Sequence, residues 1–192
     1  GTAGGAASVL LRKPPAAFEC ANDLDGEVVN FFRVLREQTA ALVRAIDLTP
    51  LSRCEWELSG EVTAAPIERA RRLYVRSPQS MFGGRHIARR QGWRFQRDAG
   101  STRSLPKTWH ETGHLRAIAE RLKRVQLDCD EATAVVRRWD TPTTLFYVDP
   151  PYVGSTRGAR WQGTAYQHEM LNDDHTALST TLHAVRGLGV LS

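Results

Sequence analysis

The stretch Thr143-Thr144-Leu145-Phe146-Tyr147-Val148-Asp149-Pro150-Pro151-Tyr152 decides the fold. Its first six residues are β-branched, aromatic or aliphatic, which suits a pleated surface. Two consecutive prolines lock φ and remove backbone donors, so a regular element must end at Asp149. No room is left for a helix, and the apolar run predicts a buried strand of a parallel sheet. Downstream, the pattern predicts a helix over 173–185 and a closing strand over 188–191. Upstream, Leu115, Ile118, Ala119, Leu122 and Val125 share a helical face, residues 125–127 read as a short strand, and a short helix spans 130–139. Strands alternating with helices point to an α/β doubly wound sheet, whose ligands bind beyond the carboxyl ends of the strands.

The N-terminal part repeats this alternation. Gly4-Gly5-Ala6-Ala7-Ser8 is a small-residue turn leading into a helix at Val9-Leu10-Leu11. Ala16 to Ala21 suits a short strand, ended by Asn22-Asp23-Leu24-Asp25-Gly26. Val28, Phe32, Leu35, Leu42 and Ile46 recur at helical spacing, predicting a helix over 27–46 with Asp25 as its N-cap. Residues 50 to about 112 differ in character. Arg69, Arg71, Arg72, Arg76, Arg85, Arg89, Arg90, Arg94 and Arg97 crowd this stretch, interleaved with Tyr74, Phe82, Trp93 and Phe95. It reads as an insertion, part helical and part loop.

Asp149 and the residues after it suit one kind of chemistry. An exocyclic amine on an aromatic ring is a poor nucleophile because its lone pair is delocalised. A carboxylate from Asp149 and a rigidly held carbonyl from Pro150 could both accept from that amine. The lone pair then becomes available to attack a sulfonium methyl, while Tyr152 offers a face on which the base stacks. In a duplex the base must first be flipped out. The bland alternative is a proline-rich turn with no chemistry. Asp23 lies about 20 residues after the glycine turn, the place of a ribose-binding acid in dinucleotide folds.

Asp149-Pro150-Pro151-Tyr152 resembles the catalytic motif of amino-methyltransferases, and with the preceding Leu-Phe-Tyr-Val it is similar to the Dam-type DNA adenine-N6 methyltransferases of phages and restriction-modification systems. Gly4-Gly5-Ala6-Ala7-Ser8 resembles part of that family's cofactor motif. Asn22-Asp23-Leu24-Asp25 with Val28-Val29-Asn30-Phe31-Phe32 resembles its second motif, and Tyr74 to Gly84 the start of its target-recognition region.

The resemblance implies a Rossmann-like S-adenosylmethionine-dependent fold with an inserted, partly helical target-recognition region. The implied organisation is a cofactor-binding part over 1–49, the insertion over 50–113 and a second catalytic part over 114–192. It implies transfer of a methyl group to adenine in double-stranded DNA, by a monomeric, cytoplasmic, bacterial or phage-encoded enzyme. Asp149, Pro150, Pro151 and Tyr152 would be catalytic, and Gly4, Gly5, Asp23 and either Asp130 or Glu131 would hold S-adenosyl-L-methionine. Arg76, Arg85, Arg89, Arg90 and Arg94 would contact DNA. Gly1-Thr2-Ala3 stands where the family has Glu-Pro-Phe, and its Gly-Gly-Lys segment is missing, so a fragment lacking both ends is expected. The alternatives are an inactive DNA-binding remnant, or an amino-methyltransferase acting on RNA or protein. The Asp form and the basic insertion favour DNA over the latter.

Composition narrows the classes further. Across 192 residues, 41% hydrophobic and 24% charged content is that of a folded globular chain. No apolar run approaches the roughly 20 residues of a membrane helix, and no stretch reads as a signal peptide. The net charge of +5 is compatible with a polyanionic partner. Cys20, Cys54 and Cys129 show no zinc spacing and read as reduced thiols. His110-Glu111-Thr112-Gly113-His114 spells a zinc-protease motif, but that chemistry needs one continuous helix, and Gly113 and Pro106 argue against it. No metal is expected.

Overall fold

A computed structural model describes residues 6–79, 93, 109, 111–151 and 170–191. In chain order the described elements are α1 (Ala6–Arg12), β1 (Cys20–Asn22), α2 (Gly26–Glu37), α3 (Thr39–Asp47), α4 (Arg53–Leu58) and α5 (Pro66–Gln79). There follow α6 (Gly113–Leu122), β2 (Gln126–Asp128), α7 (Ala132–Trp139), β3 (Leu145–Val148), α8 (Asn172–His183) and β4 (Leu188–Leu191). The chain divides into two compact units, one of residues 1–25 with 128–192 and the other of residues 26–127.

The first unit mixes helix and strand. β3 and β4 pair in parallel, with Leu145 opposite Leu188 and Val148 opposite Leu191. The crossover between them contains α8, which packs on α7; Val136 of α7 and Leu178 and Thr181 of α8 are buried. The parallel pairing agrees with the sequence reading, but the expected burial does not. Leu145 is 62% exposed and every residue of β4 is exposed. Among the described residues no sheet exceeds two strands. Burial of a parallel strand depends on helices covering both faces of its sheet.

The second unit is helical apart from its last residues. α2 and α5 pack most extensively, and α3, α4 and α6 close around them. Val34, Leu35, Leu42, Ile46, Ala70 and Leu122 are almost completely buried, on the apolar stripes of α2, α3, α5 and α6, while Val75 forms a separate buried cluster with Trp109. The continuous helix expected over 27–46 is broken at Gln38, whose φ of −134° leaves the helical region. Beside the break the Thr39 hydroxyl donates to the Leu35 carbonyl at 2.6 Å. Such a side-chain bond competes with the helix ladder. Trp109 is buried, donates from its indole nitrogen to the Thr49 carbonyl at 2.8 Å and packs beside Tyr74 and Val75.

Candidate functional site

Asp149-Pro150-Pro151 follows directly on the carboxyl end of β3, as the proline pair dictates. The strand's other end is tightly anchored. The Leu188 N–H donates to the Thr144 carbonyl at 2.8 Å. The Asp140 carboxylate accepts from the backbone N–H groups of Arg186, at 2.9 and 3.0 Å, and of Gly187, at 3.0 Å. These bonds, that from Arg186 first, hold the Asp140 carboxyl below its ordinary value. Asp140 thus fixes where β4 starts, and the register of the pair carries that placement to Val148, next to Asp149. Asp149 is exposed and Pro150 and Pro151 are half-buried. Tyr152 lies outside the described residues.

Asp23 and Asp130 stand in corresponding positions, one residue beyond β1 and two beyond β2. Their turns are tied together. The Asn22 side chain donates to the Asp130 carbonyl at 2.9 Å and accepts from the Asp130 N–H at 3.0 Å, and the Asp23 N–H donates to the Asp128 carbonyl at 3.4 Å. The Asp23 carboxylate accepts from the Asp25 N–H at 2.9 Å, a local Asx turn that holds the loop before α2. Asp130 accepts from the Glu131 N–H at 2.8 Å and from Arg138 at 2.6 Å, and Arg138 spans to Asp128, also at 2.6 Å. Arg138 is the leading cause of a lowered Asp130 pKa, so this acid remains an ionised acceptor. Glu131 is exposed at the start of α7. The Cys129 thiol is pushed up, first by burial and then by the charges of Asp23, Asp25, Asp128 and Asp130. Four carboxylates therefore share this corner, with Arg138 as the cation paired to two of them.

Asn22 lies in the stretch that resembles the second motif, but neither it nor Arg138 is assigned a role from the sequence. Asn22 adjoins the acid of a turn, where asparagine is ordinary. Arg138 reads as one more charge on the exposed side of a short helix. Its pairing with residues eight and ten positions earlier has no local signature.

The arginine-rich stretch divides into two sets. Arg69 makes a forked pair with Glu27, Arg72 pairs with Glu68, and Arg71, buried, binds Glu68, Glu55 and the Thr49 hydroxyl. These charges are neutralised inside the helical unit and serve its packing. Arg76, in the last turn of α5, is half-buried. Arg85, Arg89, Arg90 and Arg94, like Gly4 and Gly5, lie outside the described residues. The zinc-protease spelling does not form its helix: α6 begins at Gly113, so Glu111 precedes it and His114 sits in its first turn, while His110 is outside the described residues. Among the described residues no group of histidine, cysteine and acidic side chains could hold a metal ion. Nor, among them, is any helix long and apolar enough to cross a membrane.

Residues 94–187 match a family model described as D12 class N6 adenine-specific DNA methyltransferase. The match includes Asp130, Glu131 and Asp149-Pro150-Pro151-Tyr152, and bears out the Dam-type resemblance of the sequence. No protein of curated function matches the chain.

Proposed function

We propose that this chain, similar over residues 94–187 to the D12 class adenine-specific DNA methyltransferases, transfers a methyl group from S-adenosyl-L-methionine to the exocyclic N6 of adenine in double-stranded DNA. The observation that carries this reading is the Asp149-Pro150-Pro151 turn at the carboxyl end of a parallel strand. That is where open α/β folds present their reactive groups. A Rossmann-like catalytic domain is the architecture we infer around it.

Asp149 accepts from one N–H of the amine and the Pro150 carbonyl from the other. Both draw the nitrogen toward tetrahedral geometry, and Pro151 keeps the carbonyl from turning away. Tyr152 stacks on the extruded base. The cofactor, once bound, supplies an electrophilic methyl on a sulfonium. The donor chemistry at the paired turns fits such a group: Asp23 for the ribose diol, and an acid at 130–131 for the cofactor's own adenine. Of the two we assign Asp130. Its backbone is pinned by Asn22 and its carboxylate is oriented and ionised, whereas Glu131 is exposed. A carboxylate offers about four acceptor sites, so two bonds within the protein leave room for an adenine amino group. Gly4 and Gly5 complete the cofactor pocket by letting the backbone approach closely. Arg76, Arg85, Arg89, Arg90 and Arg94, within the target-recognition region at 50–113, bind DNA phosphates and base edges.

The test is methyl transfer from radiolabelled S-adenosylmethionine to adenine-containing duplex DNA. Asp149→Ala is expected to lower the rate by at least about 100-fold, the scale on which loss of a catalytic polar group acts. Equal incorporation by both proteins sinks the assignment.

A further inference from the structure

Arg138 is the single described cation that bridges two of the acids at the corner formed by the turns after β1 and β2. One guanidinium nitrogen binds Asp128 and the other binds Asp130, each at 2.6 Å. The planar fork spans the two carboxylates as a flexible ammonium cannot. On the other side of the same residue, the Asn22 amide satisfies both backbone groups of Asp130, at 2.9 and 3.0 Å. Asp130 is therefore held through its N–H, its carbonyl and its carboxylate by two side chains, one of them 108 positions away in sequence.

The arrangement is lopsided in a way that packing alone does not require. Arg138 is half-exposed, and surface ion pairs contribute little to stability. Yet its bonds fix the rotamer of the acid, and its charge is matched to those of Asp128 and Asp130. Ligand-binding groups gain from this kind of support, because a carboxylate already fixed in direction loses little freedom on accepting a new donor.

We propose that Arg138 and Asn22 are positioning residues for the cofactor's adenosyl moiety: Arg138 aims the Asp130 carboxylate, and Asn22 locks its backbone beside Asp23. This rests on the assignment of Asp130 to the cofactor adenine under the proposed function. Neither side chain touches the reacting atoms. Their loss acts on cofactor affinity and leaves the methyl-transfer step itself little changed.

The experiment measures binding of S-adenosylhomocysteine and of adenosine to the full 192-residue chain by titration calorimetry, beside single-turnover methyl transfer at saturating S-adenosylmethionine. Arg138→Met and Asn22→Ala are each expected to raise Kd for both ligands about tenfold, as loss of a charge-assisted or paired contact does. The saturated transfer rate is expected to stay within about twofold of the parent. Arg138→Lys, which keeps the charge but not the fork, should recover less than half of the loss in log Kd. Asp128→Asn removes one arm of the bridge, leaves the fold least disturbed and should raise Kd severalfold. Unchanged Kd with a lowered melting temperature overturns the proposal, as does full recovery with lysine. A parent chain that binds neither ligand overturns the cofactor reading itself, a different failure from variants that bind as well as the parent does.

Discussion

Glu68 shows how a residue in a basic stretch acquires a role that its neighbours in sequence do not announce. It accepts from Arg71 through both oxygens and from Arg72 through one, all at 2.7 Å. These bonds, that from Arg71 first, lower its pKa from 4.5 to about 2. A depressed folded-state value means that the stabilisation is fully present above the unfolded value of 4.5 and is lost as pH falls toward 2. Because the side chain is partly exposed, screening leaves about 1–2 kcal/mol of it. Glu68→Gln is therefore expected to cost about that much at neutral pH in denaturant unfolding. Its acid-denaturation curve should flatten through the same window, and an unchanged acid limb would remove Glu68 from the stability account. The same pairing explains why arginine density overstates the charge presented to a partner. Arg69, Arg71 and Arg72 are matched by Glu27, Glu55 and Glu68 within the helical unit.

At the scale of elements, the placement of the reactive turn depends on how β4 meets β3. Gly187 enters β4 so close to the preceding loop that a Cβ there would lie 2.5 Å from the Thr144 carbonyl oxygen and 2.9 Å from that of Thr141. Both are backbone atoms, and neither can turn aside as a flexible side chain would. Gly187→Ala must push β4 away from Thr144 and weaken the Leu188 to Thr144 bond and the Asp140 cap of the turn. We expect a loss of about 1–3 kcal/mol. Slowed methyl transfer should accompany it, because the register that sets Val148 also sets Asp149. A variant as stable and as active as the parent would show that the strand pair does not position the turn. Element boundaries themselves were largely legible. The strand at 188–191 forms as expected, and the helices that periodicity predicts from about 115, 130 and 173 begin at Gly113, Ala132 and Asn172. The break at Gln38 was not, because the apolar stripe of α2 continues in phase through α3 and only the backbone records the interruption.

For the whole molecule, the two units differ in what holds them. Most fully buried apolar side chains belong to residues 26–127, while in the other unit the described ones are Val136 and Leu178. The helical unit leaves the first unit in sequence after residue 25 and ends before residue 128, and within the first unit Asn22 bonds Asp130 and Asp23 bonds Asp128. We propose that the arginines at 76, 85, 89, 90 and 94 carry the expected polyanion contact. Duplex DNA binding should therefore weaken linearly in log–log terms as salt rises, by about 0.9 per phosphate neutralised. Arg85→Ala and Arg90→Ala should each reduce that slope by about 1 in fluorescence anisotropy titrations. A slope near zero in the parent would remove the DNA assignment of the stretch.

The residues of the sequence by themselves determined the strand ending at Asp149-Pro150-Pro151, the acids just beyond β1, β2 and β3 and the resemblance that the match over 94–187 bears out. All of these are local: β-branched runs, proline's fixed φ and a short motif act over neighbouring residues. Only the tertiary structure decided which arginines are neutralised and which helices share a core. It alone shows that Asn22 and Arg138, 116 positions apart, hold the same aspartate. Those outcomes depend on where distant side chains meet, and a charge on a helix face carries no mark of the partner that folding will bring to it.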